Sequence, residues 1–361
     1  MKRFFLRHWK LHTWLLLNIL LIAAFFLLQN QRGFMTAVAG VMQVIRHALA
    51  SVCYLTTVSV AEVLVVLLVI LGAAYVIWSV AAVIRGKGQR LHRFYSALLG
   101  ALCAGATIYT AFCWLWGFTF YIDGFQEKSG VYAQPVAVED LRRVTELFAA
   151  GLQETADRVP RDENGLFAAS RQEILADSVH VYDRLEEEFP FLAMDDRAPK
   201  AVYFSRILSR LDFTGIFCPY TGEANVNVDS PAAFLPATAA HELAHQRGFS
   251  SEQECNFLAI AAAVSADNVV SNYSGWLLGY VYLGNALYSA DRAAWEQVYD
   301  SLPQTARADL SANNRYWAQF EETVAQKVSN TVYDGLLKSY GEEKGIQSYG
   351  TVVDMLVAYY R

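Results

Sequence analysis

"ATAAHELAHQRGFSSEQECNF", residues 237–257, sets two histidines four residues apart with a glutamate after the first, in a run of small apolar residues. Residues i and i+4 of a helix share a face about one turn apart, so His241 and His245 converge on one point. Glu242 is rotated away from that point, far enough to reach a bound water in place of the ion. This is the donor arrangement of a zinc hydrolase, in which three protein ligands leave a fourth position for water and a glutamate serves as general acid/base. Pro231 and Pro236 mark a helix start ahead of the motif, and Gly248 suits a helix end at positive φ that turns the chain back. Ala239, Ala240, Leu243 and Ala244 surround the polar trio, so the helix reads as buried, and a buried polar set requires partners.

A third ligand is then needed, and His180 is the only other histidine among residues 123–361. Glu252 and Glu254 lie just downstream. Ser251 and Glu254 have the spacing of a capping box, as do Ser250 and Gln253. With Glu254 engaged in a cap, Glu252 in the first turn is left to face the ion; Glu254 is the alternative third ligand. Asn256 lies one turn after Glu252 on the same face. Either it accepts a hydrogen bond from the unligated nitrogen of His241, fixing its tautomer, or it satisfies nearby backbone.

Outward from the motif, the 361-residue chain divides by charge and hydropathy. Residues 1–122 hold ten Lys/Arg and one acid, Glu62, whereas the remainder holds 19 Lys/Arg against 34 Asp/Glu. A net-acidic second half argues against a nucleic-acid partner. At 54% hydrophobic the whole is too apolar for a chain without a lipid bilayer as partner. Three stretches reach the roughly 20 apolar residues that a crossing needs: 11–29, 63–84 and 94–122. The first follows the basic residues Lys2, Arg3, Arg7 and Lys10 but lacks a small-x-small cleavage site, so it reads as a retained anchor and not a signal peptide. Residues 33–55 read either as an amphipathic helix on the outer surface or as a poor fourth span. The other basic cluster, Arg85, Lys87, Arg90 and Arg93, falls on the same side as the N-terminus when there are three spans. The positive-inside rule then places the N-terminus in the cytoplasm and residues 123–361 outside, in a multi-pass plasma-membrane protein. Glu62 reads as an interfacial residue.

The second half is mainly α. Residues 138–159 and 170–189 show apolar positions at three- and four-residue intervals. Strand-like material is confined to "AVYF" (201–204) and "EANVNVD" (223–229), with helices again after 232. Cys53, Cys103 and Cys113 sit in apolar runs, and Cys218 and Cys255 are expected as buried thiols, a disulfide between them being the alternative.

"PYTGEANVN" (219–227), "HELAHQRGFSSEQECNF" (241–257) and "SYGTVVDMLVAYY" (348–360), behind three N-terminal spans, resemble the bacterial membrane proteins grouped as domain of unknown function 3810. That family looks like a zincin, and its Glu-x-Glu-x-Asn segment is similar to the Glu-x-x-Ala-Asp segment of integral-membrane gluzincins such as the CaaX prenyl proteases. Carried over, the resemblance implies Glu252 as third zinc ligand and Asn256 as the residue supporting a histidine, an amide here replacing the gluzincin aspartate. It also implies that "EANVNVD" is the edge strand along which a peptide adds. Tyr273, Tyr280, His180 and Arg315 are unranked candidates for stabilising an oxyanion. The expected architecture is a membrane domain, 1–122, followed by a mostly helical zincin-like metallopeptidase domain with a small edge sheet, 123–361. The expected function is zinc-dependent hydrolysis of membrane-proximal or cell-envelope peptides or proteins. The alternatives are a metallopeptidase-like membrane sensor and a zinc-binding scaffold without turnover.

Overall fold

The computed structural model describes residues 7–321, 323–340 and 349–361, so Lys2 and Arg3 of the first basic cluster and Ser348 of the C-terminal stretch lie outside the described residues. The protein is mainly helical with a small three-stranded sheet. It divides into two compact units: residues 1–56, 60–122 and 219–222 form the first, and 57–59, 123–218 and 223–361 the second.

Among the described residues, four helices of the first unit are long and apolar enough to cross a membrane: α1 (Trp9–Leu28), α2 (Arg32–Cys53), α3 (Val60–Arg85) and α4 (Arg90–Leu115). Residues 33–55, left open between surface helix and span, are among them. The stretch expected to span 94–122 stops being α-helical at Leu115, and Gly117–Tyr121 form a tighter 3₁₀ turn. Pairing fixes the helix directions. α1 and α4 run the same way, since His12 meets Tyr95, Trp14 donates to Thr107 Oγ1 (2.9 Å) and Trp114 donates to the Leu21 carbonyl (3.3 Å). α3 runs against α4, since Tyr75 donates to the Ala97 carbonyl and Arg93 to that of Ala82.

In the second unit, short helices α5 (Phe125–Ser129), α7 (Arg171–Asp177), α8 (Asp183–Glu188) and α9 (Ser205–Arg210) surround longer ones. These are α6 (Val138–Thr155), α10 (Leu235–Gln246), α11 (Glu252–Ser265), α12 (Val269–Ala290), α13 (Arg292–Ser301), α14 (Gln304–Ala318), α15 (Val324–Ser339) and α16 (Tyr349–Tyr360). α12 packs against α6, α11 and α10 at the centre of the core. Gly151 and Gly279 let α6 and α12 approach: a Cβ at either would overlap Trp276 or Phe148 across the contact. The helix expected over 170–189 is broken by a 3₁₀ turn at Ser178–His180.

The sheet departs from expectation. Its strands are β1 (Lys200–Ala201), β2 (Gly215–Cys218) and β3 (Glu223–Val226), in the order β1-β3-β2, with β1 parallel and β2 antiparallel to β3. "AVYF" contributes only its first residue to a strand, and "EANVNVD" supplies the central strand and not the edge. Its alternation is real, but both faces are covered. Ala224 and Val226 are buried, while Glu223 is met by Lys200 (2.6 Å), Asn225 by Ser59 (2.6 Å) and Asn227 by Ser209 (2.8 Å). The edge strand on the α10 side is β2, which sequence reading passed over.

Candidate metal centre

α10 starts with Pro236 in its first turn, where the missing N–H costs no hydrogen bond, and its alanines 237, 239, 240 and 244 are fully buried. Such small side chains let α11, α12 and the sheet close around the helix, so the polar residues it carries are sealed in. The helix stops after Gln246. Gly248 takes φ 99°, its N–H donates to the His245 carbonyl, and the Phe249 N–H donates to that of Ala244. Arg247 fastens this end: its guanidinium reaches Glu186 (2.7 Å) and Asp196 (2.6 Å) and lies over the Tyr182 ring. The reversal brings Glu252, first residue of α11, back against the motif.

His241, His245 and Glu252 each turn one ligand atom into a common space, the three atoms lying within 4.8 Å of one another. The two Nε2 atoms are 3.1 Å apart, Glu252 Oε2 is 3.2 Å from His241 Nε2, and Glu252 Oε1 is 3.5 Å from His245 Nε2. A tetrahedral ion with bonds of ~2.0–2.1 Å separates its donors by roughly 3.3–3.4 Å, so the spacing fits zinc. Burial disfavours charge on both His245 and Glu252, yet it is outweighed, on His245 by Cys255 and then Glu252, and on Glu252 by His245 and then His241. The imidazole is held well above its usual pKa and the carboxyl well below. A site that grips a proton between these groups is one where a dication can replace it.

Glu242 is 3% exposed, and its Oε2 has no hydrogen-bond partner among the described residues. Burial drives its pKa up to about 7, against the pull of the two histidines. Gly215 on β2 packs on the Glu242 carboxyl so closely that a Cβ would overlap it. His245 Nδ1 faces the Phe249 carbonyl at 2.8 Å, which puts the proton on Nδ1 and leaves Nε2 free to ligate.

Several expected roles go elsewhere. Glu254 does not join the ligands and forms no capping box with Ser251: its carboxylate accepts from the N–H groups of Phe125 (2.8 Å) and Gln126 (3.0 Å), capping α5. Gly124 makes room for it. Asn256 makes no hydrogen bond to His241, and the tautomer-fixing contact is the one on His245 from backbone. His180 is exposed beside Asp183, Arg315 bonds Ser311, and Tyr273 belongs to a separate cluster with Asp309. Tyr280 is buried, with its hydroxyl unpaired. The aromatic residue at the site is Tyr333 of α15, whose hydroxyl donates to Glu252 Oε1 and whose ring packs edge-on against Phe213. It lies 81 residues after Glu252, with no motif to point to it. Gly215 had a signal, since glycine in a strand marks close approach of another group. Among the described residues no two cysteines form a disulfide, Cys218 and Cys255 included; Cys255 is buried beside His245 Nδ1, at 3.3 Å.

No curated protein and no solved structure matches the chain. The family described as "Protein of unknown function (DUF3810)" matches residues 38–357, a span that takes in α10, the reversal, Glu252 and Tyr333, and the chain is a member of that family.

Proposed function

We propose that this protein is a membrane-anchored zinc metallopeptidase with a zincin-like second unit. The observation that carries the reading is the pairing of two kinds of group in one buried space. Three convergent donors have the spacing of a tetrahedral ion, and beside them stands a carboxylate oxygen that no described residue satisfies. His241 Nε2, His245 Nε2 and Glu252 would hold zinc, which when bound supplies Lewis acidity and lowers the pKa of water to about 7. Glu242, with its pKa lifted toward neutrality, takes the proton of the attacking water on Oε2 and returns it to the leaving amine. The Phe249 carbonyl keeps His245 in the ligating tautomer throughout.

The substrate class follows from β2. The Asn227 N–H donates to the Thr214 carbonyl, so by antiparallel alternation Thr214, Ile216 and Cys218 pair with β3 while Gly215 and Phe217 turn their backbone groups outward. An extended peptide pairing there would run past the Glu242 carboxyl. With basic clusters at both cytoplasmic ends, the catalytic unit lies outside the cytoplasm and acts on membrane-proximal or envelope polypeptides.

Zinc content and peptide-library cleavage by the full chain test this. Glu242→Gln keeps its zinc and loses hydrolysis by about 10²–10⁴-fold, whereas His245→Ala loses both. Equal cleavage by all three forms would remove the enzyme reading.

A further inference from the structure

Residues 29–59 leave and return to the same end of the first unit. α1 and α4 are parallel and α3 opposes α4, so Val60 lies at the end of the bundle where α1 stops at Leu28. The 22 residues of α2, at ~1.5 Å each, are long enough to cross the ~30 Å of hydrocarbon. Had α2 crossed, residues 54–59 would have to bring the chain back, yet six residues reach only about 21 Å when fully extended. α2 instead packs on the 3₁₀ turn that follows α4, with the Arg46 guanidinium over the rings of Trp116 and Phe118 at 5.5 and 5.7 Å.

The helix carries three stripes. Met35, Arg46 and Ala50 face inward, buried. Thr36, Gln43, His47 and Ser51 form an exposed polar stripe, and Phe34, Val41, Val44 and Val52 an exposed apolar one. At ~100° per residue the two exposed stripes are centred roughly 120° apart. A crossing helix would set Gln43 and His47 at mid-depth in hydrocarbon. The aromatic residues Trp114, Trp116 and Tyr121 gather at the same end of the bundle, the residue types that collect at the membrane–water boundary.

We propose that α2 is an interfacial helix whose partner is the lipid surface itself. Its apolar stripe is sunk among the acyl chains, and its polar stripe is in water on the side where α1 and α4 end. The proposal does not depend on the chemistry of the second unit.

Single cysteines at Thr36, Gln43 and His47 test it in the full chain with Cys53 and Cys218 changed to Ser, using a membrane-impermeant maleimide on intact cells and on inverted vesicles. All three sites are expected to label to a comparable extent and from one side. Protection of Gln43 and His47 while Thr36 reacts, or protection of all three, puts the helix in hydrocarbon and overturns the proposal. Photo-crosslinking from p-benzoylphenylalanine at Val41 and Val52 is expected to give phospholipid adducts; adducts to polypeptide instead would overturn lipid as the partner.

Discussion

Two buried polar clusters in the second unit use similar side chains and end in opposite conditions. Around Asp309, the Arg161 guanidinium (2.5 Å), the Tyr273 hydroxyl and the Phe167 N–H (2.9 Å) meet both carboxylate oxygens. Around Glu242, one carboxylate oxygen has no donor among the described residues, and the Nε2 atoms of His241 and His245 face each other across 3.1 Å. The first cluster is complete, each carboxylate oxygen having its donor, and it joins α12 and α14 to the loop after α6. The second is short of positive charge. What separates a structural polar network from a site is therefore less the presence of burial or titratable groups than whether the hydrogen bonds close.

The contrast breaks most visibly at Asp309. Asp309→Ala leaves the 15%-exposed Arg161 side chain without its counter-charge, with the neutral Ala156 and Gly165 carbonyls as acceptors, so a loss of about 3–5 kcal/mol in stability is expected. The melting midpoint of the full chain in detergent reads it, while zinc bound per folded molecule stays unchanged. If zinc is lost in step, the two clusters are one coupled network and the distinction drawn between them fails. A smaller effect is expected at Gly215. Gly215→Ala forces a Cβ onto the Glu242 carboxyl, an overpacking cost of about 1–3 kcal/mol, and displaces the base without touching a ligand. Cleavage is expected to fall while zinc content holds; undiminished cleavage would show that the β2 contact does not set the position of Glu242.

These residues also mark how far the sequence could be read. His241, Glu242 and His245 were legible because helical spacing alone fixes their relation, and Glu252 because a glycine reversal of a few residues joins it to them. Glu254 was misread because capping-box spacing is a local rule, whereas its donors belong to α5, about 130 residues earlier in the chain. "EANVNVD" was misplaced for a different reason: its edge position was implied by the resemblance, and nothing in its own pattern opposed it. Alternation reports which side chains share a face, not whether that face meets water, and here the polar face is buried under Lys200, Ser59 and Ser209. β2 is four residues, Gly-Ile-Phe-Cys, whose burial alternates with no polar residue to reveal it, and it is too short to separate from loop by pattern. In the first unit, composition left α2 undecided, and the directions of its neighbours carry information that no window of hydropathy contains.

The least visible residue tests the contrast most finely. Tyr333 sits on a helix whose bonds to the rest of the unit include its own to Glu252 and those of Gln326 (3.1 Å) and Asn330 (3.2 Å) to Asp212, a non-glycine residue at φ 69°. A phenol donating to one oxygen of a ligating carboxylate orients the other, the kind of support whose removal costs about tenfold or more in metal affinity. Burial and the neighbouring Glu252 both push the Tyr333 hydroxyl well above its ordinary pKa, so it keeps its proton and remains a donor across the working pH range. Tyr333→Phe keeps the ring against Phe213 and deletes only that donor. Zinc affinity measured by competition with a chelator is expected to weaken by about tenfold with no change in melting midpoint after zinc removal. An unchanged affinity would mean that Glu252 is positioned by α11 alone, and that the site is closed without help from outside its own helix pair.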